Sequence, residues 1–242
     1  VAATDTAAAL RGIARSRSDA LGYFPALYAR VTDRVAAGIV DGRFEDGPRM
    51  EVFITAFADR YLQAFHEREP RARCWQASWD VARNNRLLIV QHLLLGINAH
   101  VNYDLPQTAA HIGRASGDWS AVRRDFDAVN GVLADTAVDV LRDLDRVSRW
   151  TNEAAALGGG RLFNFSLRRA RDQAWHAAQR LAAMDAAGEA RYLRELDDLV
   201  AVLAYLVSKP VFPASLVLTV ARRFETRRPA DVTAALLGGG VP

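Results

Sequence analysis

The chain has 242 residues, half of them hydrophobic and 24% charged, with 31 basic and 28 acidic side chains and a formal net charge of +3. A single cysteine, Cys74, excludes an intrachain disulfide framework, and a single lysine, Lys209, confines any Schiff-base chemistry to one position. No run of 18 uninterrupted apolar residues exists, so no membrane span is expected.

In chain order, "VAATDTAAALRGIARSRSDAL" lacks an apolar stretch behind a positive start, so no signal peptide is expected there. Residues 19–40 read as a helix broken or restarted near Pro25, with Leu27, Val31, Val35 and Ile39 on one side. A turn cluster at 41–48 precedes an amphipathic helix over 48–69, whose stripe is Met50, Phe53, Ile54, Phe57, Tyr61 and Phe65. A very apolar central helix is expected over about 75–103, closed by Pro106, followed by a loop over 104–118. The next helix, about 119–149, starts behind Asp118 or Ser120 and carries Val122, Phe126, Val129, Leu133, Val140, Leu144 and Val147 on its core side. A glycine linker at 156–161, helices over 162–186 and 189–208, a last helix near 214–226 and a loose tail at 237–242 complete the chain. The pattern predicts one all-α domain of seven or eight helices around a buried central helix.

That central helix raises a chemical question, because it carries His92, Asn98, His100, Asn102 and Asp104 among leucines and isoleucines. Residues four apart share a helix face, so His92, Gly96, His100 and Asp104 trace one stripe, with Tyr103 and Asn85 close to it. Gly96 leaves room between the imidazoles for a ligand, an ion or a neighbouring helix. His100 and Asp104 have the spacing at which two side chains grip one Zn²⁺, Fe²⁺ or Mn²⁺ ion. Without a metal, the same pair is a carboxylate-oriented histidine suited to acid–base work. The bland alternative is that the imidazoles donate to main-chain carbonyls while Asp104 ends the helix.

Beyond this stripe, His111 follows in the expected loop and could supply a further ligand. Asp172 and His176, four apart on a later helix, could complete the site if that helix packs against the central one. Asp59 and His66 read as a solvated face, and Trp75 and Trp79 as packing or the lining of an apolar pocket. No G-x-S-x-G or H-E-x-x-H motif is present.

The run "HLLLGINAHVNYDLP" (92–106) resembles the signature of an uncharacterised family of bacterial all-helical proteins, from about Tyr28 to Phe224. That resemblance implies an all-helical domain without an assigned reaction. More remotely, His100, Asp104, Pro106 and His111 resemble a pattern of the zinc-dependent phospholipase C and single-strand nuclease enzymes. Those enzymes use a trinuclear zinc cluster whose ligands include an N-terminal Trp. This chain has five histidines and begins with Val1, so the resemblance implies at most one or two metals here.

Three functions follow as expectations. The first is a metal-assisted enzyme with His92, His100 and Asp104 as ligands, aided by His111 or His176, hydrolysing an ester or phosphoester of an apolar small molecule. The second is a metal-free cyclase, isomerase or lyase in which Asp104 orients His100 while Asn85, Asn98 and Tyr103 hold the substrate. The third is a non-catalytic helical module that binds a ligand. All three place the chain in the cytoplasm, leave room for a homodimer, and expect no nucleic-acid partner, since no concentrated basic face is apparent.

Overall fold

The computed structural model describes residues 2–66, 72–83, 87–148, 159–209, 222, 225 and 228–239, of which 159–165 by backbone alone. Among these residues the protein is all-α, with no strand and one isolated antiparallel bridge between Ser148 and Glu225. The helices are α1 (Ala3–Ser16), α2 (Tyr23–Val40), α3 (Gly47–His66), α4 (Arg73–Ala82), α5 (Ile89–Ala99), α6 (Leu105–Ser116), α7 (Trp119–Leu144), α8 (Gly159–Ala183), α9 (Ala186–Ser208) and α10 (Pro229–Leu236). A 3₁₀ turn (Ala20–Gly22) leads into α2, and a π turn (His100–Asp104) joins α5 to α6. No helix among the described residues is long and apolar enough to cross a membrane.

The expected central helix over 75–103 is instead two helices, α4 and α5. The start of α5 is fixed by carboxyl and amide oxygens that take up its first donors. Gln91 Oε1 accepts the Leu88 N–H at 3.0 Å, and Glu225 Oε2, from far along the chain, accepts the Ile89 N–H at 3.0 Å. Four unmet N–H groups at a helix start need such partners. The start of α4 is met in the same way by α9, where Asp197 accepts from the Arg73 and Cys74 N–H groups, each at 2.8 Å. A carboxylate there also faces the positive end of the helix dipole.

A second departure concerns Pro106, which was expected to end the helix. The chain continues as α6, with Pro106 in its first turn. Proline lacks the N–H that would bond four residues back, and its ring crowds that carbonyl. The backbone widens by one residue instead, so that the Leu105 N–H bonds the His100 carbonyl. Such π turns insert one extra residue into a helical path.

Several polar side chains of the α5 region are explained by this frame. Gln91 Nε2–H donates to the Val207 carbonyl at 2.8 Å, meeting one of the open acceptors in the last turn of α9. Asn98 Nδ2–H donates to the Val200 carbonyl at 2.9 Å and accepts from Asn102 at 3.0 Å. These amides tie α5 to α9. Around α5, the helices α2, α4 and α9 close the packing, while α7 lies across α2 and carries α10 on its side. Asp118 caps α7 by accepting from the Ser120 and Ala121 N–H groups, each at 3.0 Å. The helix expected near 214–226 and the linker glycines before 159 lie outside the described residues, apart from residues 222 and 225.

Candidate functional site

The π turn places His100 and Asp104 in direct contact. His100 Nδ1 lies 2.9 Å from Asp104 Oδ2, and both side chains are buried. The same oxygen accepts the Trp75 indole N–H at 3.1 Å. A carboxylate oxygen facing Nδ1 fixes the tautomer with the proton on Nδ1, which leaves Nε2 as a lone-pair acceptor. Nε2 is buried and has no hydrogen-bond partner among the described residues. Burial holds His100 below the usual histidine range, against the opposing pull of Asp104 and with a smaller push from Arg60, so the ring is neutral near neutral pH.

Aromatic rings enclose the imidazole. Phe57 stacks on it with centroids 3.6 Å apart and planes within 10°, and Tyr28 meets it edge-on at 4.5 Å. The Tyr28 hydroxyl is likewise buried without a partner, and burial raises its pKa well above the ordinary tyrosine value. A donor and an acceptor, both unmet, therefore sit on adjoining rings.

Both rings line a cavity of about 550 Å³. Its walls are apolar along four helices, including Leu27 and Val31 of α2, Phe53 of α3, Leu93 and Ile97 of α5, and Leu133 and Val140 of α7. That volume lies inside the range of about 300–1,000 Å³ typical of small-molecule sites. The few polar members besides Tyr28 and His100 are Thr136, Ser148, Ser166, Arg171 and Glu225. Arg171 is buried; its Nε donates to Asn130 Oδ1 at 2.9 Å and Nη2 to the Phe126 carbonyl at 2.6 Å. Its guanidinium lies over the Phe126 ring, 4.2 Å from the centroid. Burial lowers its pKa to about 10, which still leaves a cation at neutral pH.

His92 does not join this site. A Cβ at Gly96 would lie 2.3 Å from Phe24 Cγ, so the gap expected between the imidazoles is filled by the Phe24 ring of α2. His92 lines a separate void of about 20 Å³ and meets Tyr23 edge-on at 5.5 Å. Its Nδ1 is buried and unpartnered, and burial lowers its pKa to about 4, with Arg222 adding to the effect.

The other expected residues are also dispersed. Asn98 is spent on the α9 backbone, and Tyr103 packs with the cluster around Trp75, its carbonyl accepting from Gln107 at 2.9 Å. His111 lies on α6, not in a loop, and is exposed, as are His66 and His176. Asp172 pairs with Arg123, not with His176, at 2.5 Å. Asn85 lies outside the described residues. Among the described residues, no three His, Cys, Asp or Glu side chains come together as a metal would require.

Trp75 was legible as packing or a pocket lining but not as a donor to Asp104, and Tyr28, Phe24 and Arg171 gave no local signal of a role. Their positions depend on contacts across the fold. In comparisons with known proteins, residues 4–210 match the model described as a Family of unknown function (DUF5995). No curated protein and no solved structure matches the chain.

Proposed function

The chain belongs to this family of unknown function, and from that premise we propose that it is an acid–base enzyme for an apolar small molecule, with His100 as the proton-handling group. One observation carries the reading. His100 Nε2 is a buried, unmet acceptor on a ring that lines a 550 Å³ apolar cavity. Leaving a buried acceptor unmet costs about 1–3 kcal/mol, a cost that a bound donor or an acidic C–H would offset. Asp104 orients the ring and stabilises the imidazolium that forms when Nε2 takes a proton. Tyr28 supplies an O–H on the adjoining ring that can donate to a carbonyl or hydroxyl oxygen of the substrate.

Proton transfer on a carbon skeleton suits an isomerase, a lyase or a cyclase. The metal-assisted hydrolase has less support, because His100 Nδ1 and Asp104 Oδ2 engage each other and His92, His111 and His176 stand elsewhere. The remote likeness to zinc-dependent phospholipases has less support for the same reason, since His111 is exposed on α6. A cytoplasmic setting accords with the lone buried thiol of Cys74.

The test has two stages. Nile red fluorescence establishes whether the cavity takes apolar molecules, and displacement by apolar ketones and enones identifies binders. Those binders are then incubated in D₂O, and deuterium incorporation is read by mass spectrometry. Incorporation by the native protein that is lost in His100→Gln supports the proposal. Binders that exchange equally with both proteins, or with neither, overturn the acid–base role, and absence of Nile red binding overturns the cavity itself.

A further inference from the structure

The cavity has a length as well as a volume. On α7 its lining runs from Phe126 to Leu144 through Val129, Leu133 and Val140, and at 1.5 Å per residue that stripe extends about 27 Å. An extended chain suits such a space better than a compact ring system. Its ends differ in charge. Glu225 stands beside Ser148, past the far end of α7, and Arg171 stands beside Phe126, near its start.

Arg171 is an unusual wall for an apolar space. It makes no ion pair among the described residues, and both of its hydrogen bonds go to neutral oxygens. The carboxylates whose charge reaches it, Asp127 and Asp172, are engaged by Arg123 at 2.7 and 2.5 Å. A guanidinium carries five N–H donors, and these two bonds use two of them. Taking such a cation out of water without a charged partner is costly. A ligand anion in the cavity would relieve that cost.

We propose that the ligand is a long-chain carboxylate, its head held by Arg171 and its alkyl chain laid along the α7 stripe. A carboxylate matches one guanidinium in charge and in its two-pronged geometry. A phosphate dianion would leave a net negative charge in an apolar space, and Arg171 is the only arginine or lysine among the described residues on the cavity wall. The rings of Phe126, Phe53 and Phe57 stand in succession between Arg171 and His100. The His100 Nε2 therefore meets the chain well away from its carboxylate, and the reacting carbon is a remote one. This rests on the reading that the cavity takes an apolar molecule, but not on the chemistry of His100.

Calorimetric titration of the delipidated full chain with oleate, oleyl alcohol and oleyl phosphate tests it. The native protein is expected to bind oleate at least tenfold more tightly than oleyl alcohol or oleyl phosphate. Arg171→Met is expected to lose that preference, at least tenfold for oleate, while oleyl alcohol changes little. Equal native affinities for oleate and the alcohol overturn the proposal, and this comparison needs no variant to fold. A preference for the phosphate overturns the carboxylate assignment. If none of the three binds while Nile red does, the long-chain ligand is wrong and the apolar cavity stands. If Nile red fails as well, the reading beneath it falls.

Discussion

His92 and His100 lie eight residues apart on one helical path, both buried and both with an unmet ring nitrogen. Their surroundings nonetheless differ in kind. His100 has a carboxylate on one nitrogen, an aromatic enclosure, and a 550 Å³ space on its free side. His92 has the edge of Tyr23 and a void of about 20 Å³. Phe24 separates them by resting on Gly96. A shared helix face is therefore not a shared site, since one ring from a neighbouring helix divides it. What sets the proposed proton-handling histidine apart is its partner on the far nitrogen together with room at the near one.

The sharpest way to break this distinction is to remove Asp104. Asp104→Ala leaves the Trp75 indole N–H and His100 Nδ1 buried without an acceptor. Stripping one partner from a buried, hydrogen-bonded set costs about 4 kcal/mol, read as a lower urea midpoint at pH 7. His92→Leu, which deletes an unmet polar atom, is expected to be close to neutral at that pH. Equal losses in the two variants would dissolve the contrast.

Acid supplies the next largest effect. The folded pKa of His92 is lowered to about 4, while the unfolded chain titrates near 6.5, so the unfolded state binds the extra proton between those values. The stability is fully present above about pH 6.5 and is lost as pH falls toward 4. The loss is on the order of 3 kcal/mol from His92, with His100 acting in the same direction. Urea midpoints measured from pH 7 to pH 4 should fall less steeply in His92→Leu than in the native protein. An unchanged slope would show that His92 is not held neutral by burial.

The dividing wedge can be tested directly. Alanine ordinarily stabilises a helix relative to glycine by about 1 kcal/mol, yet Gly96→Ala would set a Cβ 2.3 Å from Phe24 Cγ. Overpacking of this kind costs about 2 kcal/mol, so the sign should invert and the midpoint should drop. The double variant with Phe24→Leu should recover part of the loss. A stabilised Gly96→Ala would mean that Phe24 moves aside freely.

Local chemistry made some of this legible beforehand. The stripes of α3 and α7 were readable from their period, and so was the Asp118 cap, because each depends on neighbours within a turn or two. The His100–Asp104 pair was readable for the same reason. Periodicity could not say that Phe126, Leu133 and Val140 face a hollow, since an apolar side looks the same against a solid core and an empty one. The alanine-rich sequence of α1 does not announce a helix, and α6 reads as a loop because proline and turn residues weigh toward a break. Glu225 at the start of α5 and Phe24 against Gly96 are long-range meetings, invisible to any local pattern.

The smallest expected effect separates structural from functional polarity within one motif. Asn98 stands two residues from His100, but its amide is used up by the Val200 carbonyl and by Asn102. Asn98→Ala leaves one acceptor and one donor unmet, yet Asn102 is half-buried and can reach water. The cost should therefore be about 1 kcal/mol, with oleate and Nile red affinities unchanged. His100→Gln is expected instead to abolish deuterium exchange, since its free nitrogen faces the cavity, and to cost stability only through its Nδ1–Asp104 contact. Loss of ligand affinity in Asn98→Ala at unchanged stability would move that amide to the cavity, and the partition between α5 polar groups that hold α9 and those that serve the site would have to be redrawn.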